Sequence, residues 1–317
     1  MKKLILSASL LVLLFSCGEN ESSETISATS EIAHRGCASH DVLLAKLNED
    51  PNLAQRMNEI ESFTEKAIRE GKLVDGKIVI PVVVNVLYKT AAENISLAQI
   101  QSQIDVLNDD FNATNSDYNN VPSLFSGVKA NVGISFVLDA VVRKSTKKTS
   151  WRTDDSMKKS NKGGINPTSP TTKLNLWVCN LSGGILGYAQ FPGGSSATDG
   201  VVIDNNAMGN TGSASAPFDL GRTATHEVGH WMNLRHIWGD ASCGSDLVSD
   251  TPTHNTANYG CPSYPHYSTC SGTPVEMTMN YMDYTDDACM YMFSSGQKSR
   301  MLAIFATGGA RNSFAQP

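Results

Sequence analysis

Apolar residues recur at helical spacing over residues 41–70, where Leu43, Leu44, Leu47, Leu53, Met57, Ile60, Phe63, Ala67 and Ile68 fall near one face. Pro51 divides this stretch into two helices, because the residue before a proline is pushed out of helical geometry. Gly71 and Gly76 then punctuate the chain. From Ile78 to Tyr88 the pattern becomes β-branched and apolar, which predicts a buried strand with Pro81 near its start. Ser96 and Gln99 stand at capping-box spacing and open a helix carrying Ile100, Ile104, Leu107 and Phe111 on one face. Val132 to Val142 reads as another strand. Residues 144–173 are polar, basic and rich in Gly and Pro, which predicts a long surface loop. Leu174 to Cys179 and Gly200 to Ile203 are short strands, and Arg222 to Leu234 is a helix. Ser294 and Gln297 cap a last helix that carries Met301, Leu302 and Phe305. Strands and helices alternate early and a loop-rich second half follows, so the class is α/β.

The first residues break from this pattern. Met1-Lys2-Lys3 is followed by an apolar stretch from Leu4 to Phe15, interrupted only by Ser7 and Ser9. It is too short to span a membrane and has the form of an export signal. Its end, Leu14-Phe15-Ser16-Cys17, resembles the lipobox of bacterial lipoproteins. That resemblance implies a signal peptide over 1–16, a lipid on Cys17, and a membrane-anchored place in the cell envelope or on the cell surface. Residues 18–31, rich in Ser, Glu, Thr and Asn, read as a tether. The formal net charge of −6 offers no basic groove, so nucleic acid is not an expected partner.

Chemistry concentrates at His226-Glu227-Val228-Gly229-His230, followed by His236. On a helix, His226 and His230 share one face and can meet one zinc ion. Glu227 can reach water beside that ion, take its proton and pass it to a leaving amine. A straight helix would turn His236 away, so the chain must break after His230. Asn233 stands where a residue tolerant of positive φ is needed. Three histidines with one open position is the catalytic arrangement of zinc rather than the closed structural one. Glu276, the only glutamate after Glu227, lies outside any predicted helix and is the poorer third ligand. His254 and His266 read as solvated loop residues.

His226-Glu-Val-Gly-His-Trp-Met-Asn-Leu-Arg-His236 resembles the extended zinc motif of the metzincin proteases, and more narrowly that of the pappalysin family and its cytophagalysin-like branch. The similarity runs from residue 78 to about 305. It includes Ile80-Pro-Val-Val-Val84, Leu107-Asn-Asp-Asp-Phe111, Gly187-Tyr-Ala-Gln-Phe-Pro-Gly-Gly194, Thr198-Asp-Gly-Val-Val202 and Arg222-Thr-Ala-Thr225. It implies a twisted, mostly parallel sheet, an active-site helix and a loop-rich, disulfide-pinned lower subdomain. The activity it implies is zinc-dependent hydrolysis of internal peptide bonds in proteins and peptides. Asn280-Tyr-Met-Asp-Tyr284 resembles the methionine turn below the zinc of such enzymes. Met282 is then the floor under the imidazoles, and Tyr284 turns its hydroxyl toward the metal or the oxyanion. Relatives often take a basic residue just after the cut, but no acidic pocket residue is identifiable in this sequence.

Seven cysteines remain to be placed. Cys17 belongs to the anchor, and Cys179 lies in an apolar run as a core thiol. Cys243, Cys261, Cys270 and Cys289 form an even cluster that suggests two disulfides with three possible pairings. The family resemblance implies Cys243–Cys270 and Cys261–Cys289. It also implies calcium near Gly239-Asp240 and Asp246 to Pro252, with Asp246 and Asp250 as ligands. Cys37, in Arg35-Gly36-Cys37, resembles the pro-segment switch of some metzincins, in which a thiolate takes the fourth zinc position. Its alternatives are an unpaired thiol or a disulfide with Cys179. The chain thus divides into a signal (1–16), a tether and helical pro-segment (17–76) and a catalytic domain (77–317). The expectation is a latent zymogen of a zinc endopeptidase. The rival is a catalytically weak, zinc-stabilised surface lipoprotein that binds a partner.

Overall fold

A computed structural model describes residues 34–74 and 76–315. Cys17 and the segment assigned to export and anchoring lie outside the described residues. No described helix is long and apolar enough to cross a membrane.

The two N-terminal helices are α1 (Ser39–Glu49) and α2 (Leu53–Arg69), parted at Asp50-Pro51. Strand β1 (Ile78–Tyr88) follows and is buried along most of its length, as its apolar run, interrupted only by Asn85, requires. Helix α3 (Leu97–Phe111) starts at Ser96, whose hydroxyl accepts from the Gln99 amide. The reciprocal half of that capping box is not made. The Gln99 side chain instead donates to the carbonyls of Asn205 and Met208 and fastens a distant loop. Short β2 (Lys129–Ala130) precedes β3 (Ile134–Ser145), β4 (Leu174–Cys179), β5 (Gly187–Ala189) and β6 (Val201–Asp204). Helix α4 (Arg222–Trp231), short β7 (Phe293–Ser294) and α5 (Ser295–Ala303) complete the elements. At α5 both halves of the Ser294/Gln297 capping box form.

The main sheet has the order β3-β1-β4-β6-β5. All neighbours are parallel except β5, which runs antiparallel to β6 at the edge. One face carries Val82, Val84, Val86, Leu176, Val178 and Ile203 into the main core under α3 and α4. The other face carries Leu87, Trp177, Cys179 and Val202. Its cover corrects the expectation of a surface loop at 144–173, because Trp151 and Met157 are buried there against Trp177. The Trp177 indole donates to the Ile165 carbonyl, so the loop also completes a buried donor.

Below α4 the chain is irregular and held by Cys243–Cys270 and Cys261–Cys289. Cys37 and Cys179 are free thiols. His254 is not solvated, contrary to its sequence reading. It is wholly buried, accepts from the Met277 amide at Nε2 and faces Asp283 through Nδ1. Glu276 is buried too and is occupied by the Asn255 amide, the Asn258 side chain and His266. An irregular segment must satisfy its backbone somewhere, and these side chains replace the missing ladder.

Candidate active site

Helix α4 is positioned from its first turn. Asp287 accepts from the amides of Leu220 and Arg222, satisfying donors that a helix start leaves open. Asp110 on α3 accepts from the Thr225 hydroxyl (2.6 Å) and the Tyr281 hydroxyl (2.8 Å). Burial pushes its carboxyl up to about 7 despite the Arg222 guanidinium beside it. One buried carboxylate thereby ties α3 to α4 and to the turn beneath it.

His226 and His230 lie one turn apart with their Nε2 atoms 3.1 Å from each other. The helix ends at Trp231, and Asn233 takes φ 72°, the left-handed geometry that brings the chain back. His236 Nε2 then lies 3.0 Å from His230 Nε2. Each ring is held through its other nitrogen. His226 Nδ1 donates to the Tyr281 carbonyl (2.7 Å), His230 Nδ1 to the Leu234 carbonyl (2.8 Å) and His236 Nδ1 to Asp240 (2.5 Å). With Nδ1 carrying the proton, each Nε2 presents a lone pair. Burial and the neighbouring rings depress His226 and His230 well below the ordinary imidazole range, which keeps them neutral. Three converging lone pairs with no proton between them fit a cation. Zinc with Zn–N near 2.1 Å would hold its ligand nitrogens about 3.4 Å apart, close to the separations seen.

Gly229 explains how the floor approaches. A Cβ built there would meet Met282 Sδ at 2.5 Å, so only glycine admits the methionine against the helix between the two histidines. The Met282 carbonyl accepts from the Ile237 amide, which fastens the turn to the chain carrying His236.

Residues 34–39 run along the β5 edge through this site. Cys37 pairs in parallel with Gly187. The Ala38 amide donates to the Gly187 carbonyl, and the Leu186 amide to that of Gly36. Cys37 Sγ and the three histidine nitrogens lie within 4.8 Å of one another, the one such group of potential metal ligands among the described residues. Glu227 is buried beside it, its carboxyl pushed up to about 7 mainly by burial. The Ser39 hydroxyl donates to Glu227 at 2.7 Å and accepts from the Ala189 amide. The Tyr284 hydroxyl donates to the Cys37 carbonyl at 3.0 Å. Its ring packs at 4.9 Å from His236, and burial and Cys37 push its phenol up.

Arg35 enters a buried pocket. It donates to Asp287 (2.5 Å), to the Thr223 hydroxyl (3.0 Å) and to the Thr285 carbonyl (3.1 Å), with its guanidinium 5.0 Å from the Phe218 ring centre. Sequence reasoning found no acidic pocket residue. Arg35 and Asp287 are 252 positions apart, and neither sits in a periodic pattern that would pair them. Ser39, 188 positions from Glu227, was missed for the same reason, whereas Asp240 lies only four residues after His236 but in an irregular stretch with no period to pair them.

Asp246 and Asp250 lie away from this cluster. Asp250 accepts from the Ser294 hydroxyl and the Gly296 amide at the start of α5. Asp246 accepts from the Val248 amide and the Thr251 hydroxyl, and burial pushes its carboxyl up to about 6.

Residues 169–306 match the Peptidase_M43 family model, described as pregnancy-associated plasma protein-A. An extracellular metalloprotease of Coccidioides posadasii is 36% identical over 211 residues, covering 63% of this chain and 68% of its own. A Tannerella forsythia promirolysin variant shares the fold with a TM-score of 0.81 and 43% identity, over 89% of this chain and 97% of its own. Mature mirolysin of the same organism, in complex with a cleaved peptide, gives 0.74 and 46%, over 76% of this chain and 97% of its own. These likenesses do not favour a non-enzymatic binding protein. A three-histidine cluster, an adjoining buried glutamate and this shared sequence place the chain in the pappalysin (M43) family of zinc metalloproteases.

Proposed function

We propose that this chain is the precursor of an exported zinc endopeptidase, kept latent by its N-terminal segment, of which residues 34–39 lie in its own cleft. His226, His230 and His236 hold the zinc, and Glu227 is the general base. Bound zinc supplies a Lewis acid that acidifies water and polarises the peptide carbonyl. Glu227 takes the proton of the attacking water and hands it to the departing amine, a task suited to a carboxyl whose affinity for protons burial has raised. Tyr284 donates to the oxygen that gains charge, and its hydroxyl already donates to a carbonyl, that of Cys37. Met282 fills the space under the helix, and Asn233 turns the chain to present His236.

One observation carries the proposal: three residues of one short segment occupy three separate requirements of the reaction. Cys37 Sγ stands at the open ligand position, Ser39 engages Glu227, and Arg35 fills the Asp287 pocket. Burial and Glu227 push the Cys37 thiol well above its ordinary range, so a cation at the histidines is what would make it a thiolate. The Asp287 pocket suits an arginine or lysine just after the cut, with Arg35 as its internal stand-in. Activation requires a cut between α2 and β1, where Lys72 and Lys77 lie in the linker.

Two further elements belong to the proposal. A lipid on Cys17 would hold the precursor at the bacterial envelope, supported by the sequence before it. Calcium at Asp246 and Asp250 would neutralise carboxylates in the irregular lower part.

The decisive experiment compares the precursor with its Glu227→Gln variant after removal of residues 34–76. The parent should cleave a denatured protein only when zinc is present, and the variant should keep about one zinc per chain while losing cleavage. Equal cleavage by both would refute the assignment of Glu227. X-ray absorption at the zinc of the uncut Glu227→Gln precursor should show one sulfur ligand, and its absence would leave steric cover as the cause of latency. Unchanged membrane partition of Cys17→Ala would exclude the lipid.

A further inference from the structure

Outward from Cys37, the chain places Arg35 in the Asp287 pocket and His34 one residue further from the metal ligands. The His34 ring meets Tyr259 edge-on, with centroids 4.7 Å apart and planes at 67°. Tyr259 is 45% exposed, so its outer face is open to whatever replaces His34. It is nevertheless no loose surface tyrosine. Its ring lies 5.9 Å from that of Tyr284. The next residue, Gly260, accepts through its carbonyl from the Asp286 amide, and Cys261 is bonded to Cys289. These ties fasten the Tyr259 turn to the wall of the Asp287 pocket. Asp286 adds a carboxylate. Its carboxyl is pushed up by burial and Asp287, against the pull of the Arg35 guanidinium.

We propose that Tyr259 and Asp286 form a second specificity subsite, which selects a flat aromatic or cationic side chain two positions after the cut. The inference rests on the assignment of the Asp287 pocket to the first residue after the cut. The order of pockets outward from the metal ligands does not depend on chain direction. An extended peptide advances about 3.3 Å per residue, so a substrate whose first residue fills the Asp287 pocket carries its second toward Tyr259. An aromatic ring there stacks edge-on, and a lysine or arginine gains the ring face and the Asp286 carboxylate together.

The test uses the full chain after proteolytic activation and a series of quenched fluorogenic peptides. Arginine stands after the cut, with alanine in its place in one control peptide, and the next residue is His, Tyr, Lys, Ala or Asp. The His, Tyr and Lys peptides should exceed the Ala peptide by about 3–10-fold in kcat/KM, with Asp lowest. Tyr259→Ala should bring His and Tyr down to the level of Ala, whereas Tyr259→Phe should retain their advantage. Asp286→Asn should remove the advantage of Lys and leave that of Tyr. A flat series in the parent enzyme, or an unaltered series in Tyr259→Ala, overturns the subsite alone if arginine is still required at the first position. Loss of that arginine requirement is a failure of the Asp287 pocket and overturns the subsite with it.

Discussion

Arg35→Ala in the precursor probes the latent state most directly. The substitution deletes a side chain that is 1% exposed, along with its contacts to Asp287, Thr223 and the Thr285 carbonyl. Breaking a buried ion pair costs about 3–5 kcal/mol when the surviving charge stays dry. Here water enters the pocket as soon as the segment lifts, and Asp287 keeps the Leu220 and Arg222 amides, so the lower end applies. A loss of about 3 kcal/mol raises the population with the segment released by about 10²-fold. The assay is hydrogen exchange in a Glu227→Gln background, which prevents self-cleavage. The Ala38 and Leu186 amides report directly, because their partners lie across the junction of segment and β5. Their protection should fall by about 10²-fold in Arg35→Ala, while amides inside β1 and β4 keep theirs. Arg35→Lys should lie between, since an ammonium keeps the charge and loses the fork of donors. Unchanged protection at both amides in Arg35→Ala would refute Arg35 as the anchor of the segment.

Other substitutions test the site and its frame. His236→Ala should lose zinc and cleavage together, measured by metal analysis and peptide hydrolysis. Gly229→Ala should cost about 1–3 kcal/mol and lower kcat, because its Cβ would displace Met282; a thermal melt and a rate assay check both. Reducing Cys243–Cys270, with a sequence separation of 27, should cost about 3–4 kcal/mol by the chain-entropy relation, read from denaturant midpoints of the double Ser variant. Asp246 gives a pH dependence. Its folded pKa of about 6 exceeds the unfolded value of 3.8, so the folded state binds the extra proton between them. Stability in chelator should therefore fall as pH rises from about 4 to 6, by about 2–3 kcal/mol, and Asp246→Asn should abolish that fall. Added calcium should do the same if Asp246 is a ligand.

What was legible in the sequence was local or periodic. The strand at Ile78–Tyr88 followed from an apolar run interrupted only by Asn85, and both Ser-to-Gln spacings marked the starts of helices. The three histidines were readable because helical geometry converts a separation of four into a shared face. Asn233 followed from the need for one left-handed residue before His236. Tertiary structure decided what depends on residues brought together from afar. Strand β5 has only three residues, too few for any period, yet its edge receives the segment around Cys37. Trp151 and Met157 looked like parts of a polar loop until the second face of the sheet required a cover. His254 and Glu276 gave no sign of burial, because the partners that satisfy them come from other turns of an irregular segment. The acidic pocket belongs to the same class. The carboxylate at 287 finds its buried cationic partner only where the start of α4, the turn after Met282 and Arg35 meet. That meeting is set by packing over 252 positions of chain, a distance across which no local pattern carries information.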